Sequence, residues 1–202
     1  MRSCARLFQM SGKQVVVIAG PSGSGKDAII RELLKRCQNT TRMVTAVTRA
    51  PRPGEVDGVD YYFLSNEEFK KELERGNILE HYYRTETDTY YGTYKPDIES
   101  RIASGKTVLC QLQIVGAKYF KEKYKAVTLF ILPHSLDALE RRIRARSHMS
   151  DVEWQERLKI TRREILDEAP WYDYRVENED GKLDESIGKI MAILEKEGYT
   201  LA

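Results

Sequence analysis

The chain has 202 residues, which is enough for one well-packed core with small inserted subdomains. Its 33 Lys and Arg against 31 Asp and Glu leave a formal charge of +2, so no overall charge indicates nucleic acid or a membrane surface as a partner. The longest apolar run, VVVIA at 15–19, is far too short to span a bilayer. We therefore expect no binding to nucleic acid or membrane.

The beginning of the chain carries two arginines but no apolar stretch like that of a signal peptide. Residues 1–12 are predicted to form a disordered N-terminal extension, with Met10 as the more natural start and a short targeting tail as the alternative. The cysteines are odd in number and lack metal-like spacing: Cys4, Cys37 and Cys110. Unpaired thiols are typical of a reducing compartment, so we expect a cytoplasmic protein.

The first predicted strand, residues 14–20, leads through a glycine-rich turn into a helix over 26–37. The run QVVVIAG is typical of a buried parallel strand, and Ile29, Ile30 and Leu33 recur at helical spacing. Strand, turn and helix in this order form the context that a phosphate-binding P-loop requires. The predicted ATP-binding residues of the loop are Gly20, Pro21, Ser22, Gly23, Ser24, Gly25, Lys26 and Asp27.

Two charged residues end this loop. Lys26, a mobile positive charge that reaches the terminal phosphates, is predicted to be catalytic. Asp27 stands where the motif has a Ser or Thr that binds Mg²⁺. A carboxylate is a harder Mg²⁺ ligand but adds negative charge beside the phosphates, so the metal must lie between them. We predict Asp27 as a metal ligand; the alternative is that it only occupies the favourable first turn of the helix.

The later core elements alternate between strands and helices, which indicates a parallel sheet covered on both faces. Strands are predicted over 107–114, 126–132 and 172–178, and helices over 135–146, 152–167 and 183–198. Residues 45–96 break this rhythm with prolines, short aromatic strands, turns and a helix at 66–75. The sequence therefore predicts a small lobe inserted into the α/β core.

Five motifs in order resemble the guanylate kinase family: GPSGSGK, TAVTRAPRPGEVDGVDYYF, ILEH, YYGT and RRIRAR. The similarity runs from about residue 13 to 197, with a slightly longer turn between Glu80 and Tyr90. It implies an α/β P-loop kinase fold, with a parallel sheet flanked by helices. The implied division is a core of 13–44, 97–146 and 168–197, a lobe that binds a nucleoside monophosphate at 45–96, and a helical lid at 147–167.

The resemblance implies a GMP site in this lobe. Arg49 and Arg52 would grip the GMP phosphate as bidentate forks, joined by the hydroxyls of Tyr61 and Tyr91, and Arg49 is also assigned to catalysis. A carboxylate can accept from N1–H and N2–H₂ of guanine together, whereas adenine offers no such pair, so discrimination of about 10⁴ is within reach. The implied readers of the guanine edge are Glu80, Thr45 and Thr93.

The resemblance also implies that lid arginines close over the polyphosphate, each contributing about 10³ to 10⁵ in rate at the transition state. Arg142 and Arg146 lie four apart on one helix face, and Arg157 follows; all three are assigned to catalysis. The segment VENEDG at 176–181 resembles the family's segment near the adenine, so Asn178 is assigned to ATP binding.

The sequence departs from the family at the strand after the insertion, where a D-x-D arrangement is usual. Gln111 and Gln113 stand in those places and keep hydrogen-bonding reach without charge. Gln113 is assigned to GMP binding. Because two carboxylates disappear here and Asp27 appears in the P-loop, our hypothesis is that Asp27 takes over part of the Mg²⁺-organising role.

The implied function is guanylate kinase activity, ATP + GMP to ADP + GDP, with Mg²⁺ and in a monomer or weak dimer. Two alternatives remain open. Ribose 1,5-bisphosphate phosphokinases also carry Asp after the P-loop Lys, although they do not need a guanine-reading carboxylate. Guanylate-kinase-like binding modules bind phosphorylated partners without catalysis, although their P-loops are typically degraded.

Overall fold

The computed structural model of the protein describes residues 13–145 and 150–202. The predicted extension 1–12, the lid residues 147–149 and Arg146 lie outside the described residues. The strands are β1 (Val15–Ala19), β2 (Thr40–Arg42), β3 (Thr45–Val47), β4 (Tyr62–Phe63), β5 (Ile78–Arg84), β6 (Thr89–Tyr94), β7 (Thr107–Gln111), β8 (Val127–Pro133) and β9 (Tyr174–Asn178). The α-helices are α1 (Lys26–Arg36), α2 (Asn66–Glu74), α3 (Lys95–Ala103), α4 (Ile114–Tyr124), α5 (Leu136–Arg144), α6 (Asp151–Arg163) and α7 (Leu183–Lys196).

The core is a five-stranded sheet in the order β2-β7-β1-β8-β9, and every neighbouring pair is parallel. Side chains of β1 alternate between its faces. Val16 and Ile18 pack with residues of α1 and α7, while Val15 and Val17 pack with residues of α3 and α4. The predicted α/β class, a parallel sheet flanked by helices, is therefore confirmed. No helix in the described ranges is long and apolar enough to cross a bilayer.

Several element boundaries differ from the sequence-based expectation. The strand predicted to reach residue 114 ends at Gln111, because Ile114 already begins α4. The helix predicted over 152–167 is α-helical only to Arg163 and continues as a π-helical turn, Glu164–Glu168. Strand β2 and helices α3 and α4 were not predicted. Strand β2 has three residues and is held by pairing with β7, which lies far along the chain.

The inserted segment forms a second, four-stranded sheet in the order β4-β3-β6-β5. Helix α2 covers one face of this sheet with Phe69, which packs with Ala46 and Ile78 and stacks on Tyr90 at 5.3 Å between ring centroids. A capping box at Ser65 starts α2. The opposite face is therefore left free to carry polar and aromatic side chains.

Asp97 joins the lobe to the core. Asp97 is 5% exposed. Its carboxylate accepts hydrogen bonds from the Val44 backbone N–H at 2.9 Å, the Tyr62 hydroxyl at 3.0 Å and Arg101 Nε at 2.7 Å. Tyr62 belongs to the lobe, whereas Val44 and Arg101 lie outside its sheet. A buried charge with this many donors is well satisfied, and its removal leaves them unpaired.

We expect Asp97→Ala to destabilise the protein by about 3 kcal/mol, because a buried N–H and a guanidinium lose their acceptor together. Urea unfolding of the purified variant measures this. Asp184→Ala is the matched control, since Asp184 is an exposed carboxylate paired with Arg36, and it should change stability by less than about 0.5 kcal/mol. Equal effects of the two substitutions would contradict the structural role given to Asp97.

Candidate active site

The P-loop lies between the end of β1 and the start of α1, where parallel strands end and a helix N-terminus faces the same edge. Gly20, Gly23 and Gly25 adopt left-handed φ angles of 136°, 83° and 96°. Space is also limiting, since a Cβ on Gly20 would lie 2.4 Å from the Ile131 carbonyl oxygen. Conformation and packing therefore both require glycine at Gly20.

The other small loop residues have distinct environments. Pro21 and Ser24 are buried, and Ser22 is exposed. The Ser24 hydroxyl has no hydrogen-bond partner among the described residues, whereas its carbonyl oxygen accepts a hydrogen bond from Asn178 Nδ2 at 2.8 Å. Asn178, far away in sequence, thus fixes the position of the loop backbone at Ser24.

Lys26 is the first residue of α1, and its side chain turns back over the loop. Nζ donates to the carbonyl oxygens of Gly20 at 2.6 Å and Pro21 at 2.8 Å. This arrangement fixes the ammonium group beside the loop backbone, so a phosphate bound in the loop would meet a localised positive charge.

Asp27 follows Lys26 in the first turn of α1 and is exposed. In the described part of the chain, no cluster of three or more His, Cys, Asp or Glu side chains forms a ready metal site. A metal bound at Asp27 would therefore depend on ligands that come with the substrate. This arrangement is typical of Mg²⁺, which usually binds one or two carboxylates together with phosphates and water.

Asn178 and Arg142 brace the P-loop. The Asn178 amide is buried and also accepts a hydrogen bond from Ser186 Oγ at 3.3 Å. Arg142, on α5, donates to the carbonyl oxygens of Gly23 and Asn178, both at 3.2 Å, and to Asp180 at 2.5 and 2.8 Å. The sequence did not single out Asp180, although it lies in the VENEDG segment two residues after Asn178.

Glu164 lies on the π-helical turn after α6, close to Lys26. Burial raises the pKa of Glu164, and the positive charges of Lys26 and Arg157 act in the opposite direction. Lys26 and Arg157, the third of the assigned lid arginines, therefore both act on the Glu164 carboxylate. Sequence reasoning missed Glu164, because no local motif distinguishes it from the other carboxylates of this helix. Arg146 lies outside the described residues.

Glu80, on β5, forms the polar centre of the inserted lobe. Thr93 Oγ1 donates to Glu80 Oε1 at 2.6 Å, and Thr45 is the cross-strand partner of Thr93. Gly116, at the start of α4, allows the close approach, since a Cβ there would lie 3.0 Å from Glu80 Oε1. Burial raises the pKa of Glu80, and the hydrogen bond from Thr93 partly offsets this. The three residues predicted to read the guanine edge therefore lie together. Gly116 also belongs to this group, although the sequence did not indicate it.

Arg49 lies beside two of the predicted tyrosines. Its guanidinium forms a bidentate ion pair with Glu55 at 2.6 and 2.7 Å and lies 5.1 Å from the centroid of the Tyr61 ring. Tyr61 and Tyr91 meet edge to face at 6.3 Å. Arg49 and the backbone N–H of Arg52 lower the pKa of Glu55 to about 2. Glu55 thus pre-orients Arg49. The sequence analysis did not assign Glu55 a role, although its regular spacing in R-x-x-R-x-x-E could have indicated one.

Two predicted site residues, Arg52 and Gln113, and the nearby Gln111 make no side-chain hydrogen bond to this group in the described part of the chain. The Arg52 side chain is exposed, and only its backbone N–H bonds Glu55, at 2.7 Å. Gln113 is exposed at the N-cap of α4 and makes no capping hydrogen bond. Gln111 ends β7, and its Oε1 is buried without a partner among the described residues. Gln111 therefore has a buried acceptor oxygen that could take a hydrogen bond from a ligand or coordinate a metal ion.

The chain is similar to known proteins in both sequence and structure. The guanylate kinase family model matches residues 12–197. A guanylate kinase from Synechocystis sp. is 38% identical over 185 residues, covering 91% of this chain and 94% of that protein. One from Thermosynechococcus vestitus is 42% identical over 168 residues, covering 83% and 86%. The crystal structure of guanylate kinase from Anaplasma phagocytophilum superposes with a TM-score of 0.71 at 30% identity, covering 93% and 87%.

Proposed function

The chain belongs to the guanylate kinase family, and on that premise we propose that it transfers the γ-phosphoryl group of ATP to GMP, giving ADP and GDP. The observation that carries this proposal is the environment of Glu80. A partly buried carboxylate with one hydrogen bond, from Thr93, has acceptor capacity left for a ligand. Guanine supplies two adjacent donors, whereas adenine would leave the carboxylate unpaired.

The phosphate of GMP would bind at the other end of the lobe, against Arg49, Arg52, Tyr61 and Tyr91. The ion pair with Glu55 supports this, because it holds the Arg49 fork in one orientation before the phosphate arrives. Arg49 is always charged, and Glu55 raises its pKa further. No general base is required, since the acceptor phosphate is already ionised and catalysis consists of positioning and charge neutralisation.

ATP would bind with its phosphates in the P-loop, where Lys26 exchanges its carbonyl partners for phosphate oxygens. Asn178 contributes indirectly. Its amide is engaged by Ser24 and Ser186, so it holds the loop in place and does not bind ATP itself. Arg142 and Arg157 are proposed to neutralise the transferring group when the lid of 147–167 closes over the lobe of 45–96. Arg146, assigned the same role from the sequence, lies outside the described residues. Closure of this kind excludes water that would otherwise hydrolyse ATP.

Mg²⁺ is the implied metal, and the residues present fit it. Asp27 offers an exposed carboxylate next to the phosphates, and Gln111 offers a buried oxygen without a partner among the described residues. These hard, oxygen-only donors suit Mg²⁺. When bound with ATP, the ion would neutralise charge on the terminal phosphates. Gln113 is proposed to contribute to GMP binding only as a neutral side chain at the edge of the site.

We expect Asp27→Ala to raise the Mg²⁺ concentration for half-maximal turnover about tenfold, because the loop loses its only charged oxygen ligand. Asp27→Ser should stay near the wild-type value, since a hydroxyl restores a neutral ligand. Titration of ATP binding with Mg²⁺ by calorimetry gives a readout besides activity, and Asp184→Ala serves as the surface control. If Asp27→Ala and Asp27→Ser both bind and turn over like the wild type, the metal role of Asp27 is wrong.

ADP production from ATP and Mg²⁺ with GMP, AMP or ribose 1,5-bisphosphate as acceptor tests the function directly. We expect turnover with GMP alone. Turnover only with the sugar phosphate would favour the alternative suggested by Asp27, and GMP binding without turnover would indicate a binding module.

We propose the reducing cytoplasm as the place of action and a monomer or weak dimer as the state. The thiols of Cys37 and Cys110 are buried and form no disulfide. Burial also raises the pKa of Cys110 well above its ordinary value, which makes this thiol a poor nucleophile.

A further inference from the structure

Tyr82 occupies a place in the lobe to which the motifs assigned no role. It lies on β5 directly opposite Tyr91 of β6, and the two rings stack at 5.1 Å between centroids with 8° between their planes. Such cross-strand pairs are the closest side-chain contacts that a sheet offers. Tyr82 therefore backs the ring of a residue proposed to bind the acceptor phosphate.

Tyr82 also shares its sheet face with Glu80. The two lie two residues apart on β5, and their contacts across to β6 agree, since Glu80 bonds Thr93 while Tyr82 stacks on Tyr91. Burial raises the pKa of Tyr82 to about 12, and the negative charge of Glu80 acts in the same direction. The phenol is therefore near both proposed subsites and neutral at physiological pH.

The Tyr82 hydroxyl makes no hydrogen bond to another described residue, as is also the case for Tyr61 and Tyr90, whereas two other tyrosines of the lobe donate to carboxylates. The Tyr83 hydroxyl donates to Asp88 at 2.7 Å, and the Tyr62 hydroxyl donates to Asp97 at 3.0 Å. Tyr82 remains 36% exposed. Stacking on Tyr91 fixes the Tyr82 ring, and the Tyr82 hydroxyl can donate a hydrogen bond to a ligand or to solvent.

We propose that Tyr82 is a further binding residue of the acceptor site, whose ring supports Tyr91 and whose hydroxyl bonds the 2′-hydroxyl of the GMP ribose. This inference rests on the proposed function. If Glu80 binds the guanine and Arg49 with Tyr91 binds the phosphate, the ribose must join these two ends. Tyr82 lies on β5 beside both Glu80 and Tyr91, and therefore beside the sugar that joins guanine to phosphate. A hydrogen bond from its hydroxyl to the sugar would favour GMP over dGMP.

Tyr82→Phe separates the hydroxyl from the ring. We expect the KM for GMP to rise about threefold, as for the loss of one neutral hydrogen bond. The KM values for dGMP and ATP should not change, because a 2′-deoxy sugar lacks the bonded group and ATP binds elsewhere. A merely structural role would not alter the ratio of GMP to dGMP.

Tyr82→Ala removes the ring as well, and we expect the KM for both GMP and dGMP to rise about tenfold, since Tyr91 loses its stacking partner. Tyr83→Ala is the matched control. Tyr83 is the next residue on the same strand, with its ring against Tyr90 on the opposite face. It should leave both acceptor KM values near those of the wild type, and circular dichroism checks that each variant folds.

Calorimetric titration of the wild type with GMP keeps the two proposals separate. A wild type that binds no GMP overturns the proposed function and this inference with it. A wild type that binds GMP, with Tyr82→Phe indistinguishable from it or weakened equally toward GMP and dGMP, overturns only the ribose contact. Acceptor KM values for Tyr82→Ala that match those for Tyr83→Ala overturn the role of the ring.

Discussion

Lys26→Met is expected to lower kcat by about 10³, because it removes the localised positive charge that stabilises the transferring phosphoryl group. GMP affinity should hardly change, since none of the proposed GMP-binding residues lies in the P-loop. Steady-state kinetics with both substrates and calorimetry with GMP measure the two effects separately.

Lys35→Met is the control, because Lys35 lies on the same helix and is exposed, and Glu32 is its ion-pair partner among the described residues. Lys26→Arg adds a second comparison, since it keeps the charge but not the compact ammonium group that bonds Gly20 and Pro21. It should retain part of the rate lost in Lys26→Met. A Lys26→Met variant with the kcat of Lys35→Met would contradict the catalytic role.

Glu80→Gln is expected to lower kcat/KM for GMP by about 10³, because an amide presents a donor where guanine also presents donors. Activity with AMP should stay low or rise slightly, so the preference for GMP over AMP falls. Measuring kcat/KM for both nucleotides gives the discrimination directly. An unchanged preference would mean that another group reads the base.

The same variant should not be less stable than the wild type at neutral pH. Because the folded-state pKa of Glu80 is raised by burial, ionising it costs folding free energy. This cost appears as the pH rises through the ordinary glutamate range toward the raised value, and it is absent in Glu80→Gln. Thr93 can still donate to the amide oxygen. Thermal melts at acidic and neutral pH distinguish this from a general loss of fold.

Affinity for GMP should weaken at acidic pH for the same reason. The raised pKa of Glu80 means that it becomes protonated at a higher pH than an ordinary glutamate, and a protonated carboxyl accepts poorly from guanine. The part of this decline that comes from Glu80 should be absent in Glu80→Gln, and calorimetric titration of both proteins with GMP at acidic and neutral pH measures the difference.

The donor half of the candidate site could be predicted from the sequence because it is local. Gly20, Gly25 and Lys26 lie within one strand, turn and helix, and the backbone conformation needed to bind phosphate is encoded in neighbouring residues. The α/β class followed from the alternation of apolar strands and amphipathic helices. Motif spacing also brought Arg49, Glu80 and Thr93 into one lobe.

The rest depended on pairing between distant segments. Each of the segments DYYF, HYY and TYYG has adjacent tyrosines, and alternation alone does not say which of them faces the site. A register shift between Ile78 and His81 in the pairing of β5 with β6 decides this, and it sets Tyr82 against Tyr91. Likewise, the contacts of Asn178 with Ser24, Asp97 with Val44 and Gly116 with Glu80 join residues far apart in the chain.

The sequence by itself therefore determined the family of the chain, its α/β class and the chemistry of its phosphate loop, since those depend on short-range patterns. Only the tertiary structure decided which tyrosine supports the acceptor site, which carboxylate orients Arg49 and which residues hold the loop. These features depend on strand register and on side-chain packing between elements, and local sequence patterns determine neither of them.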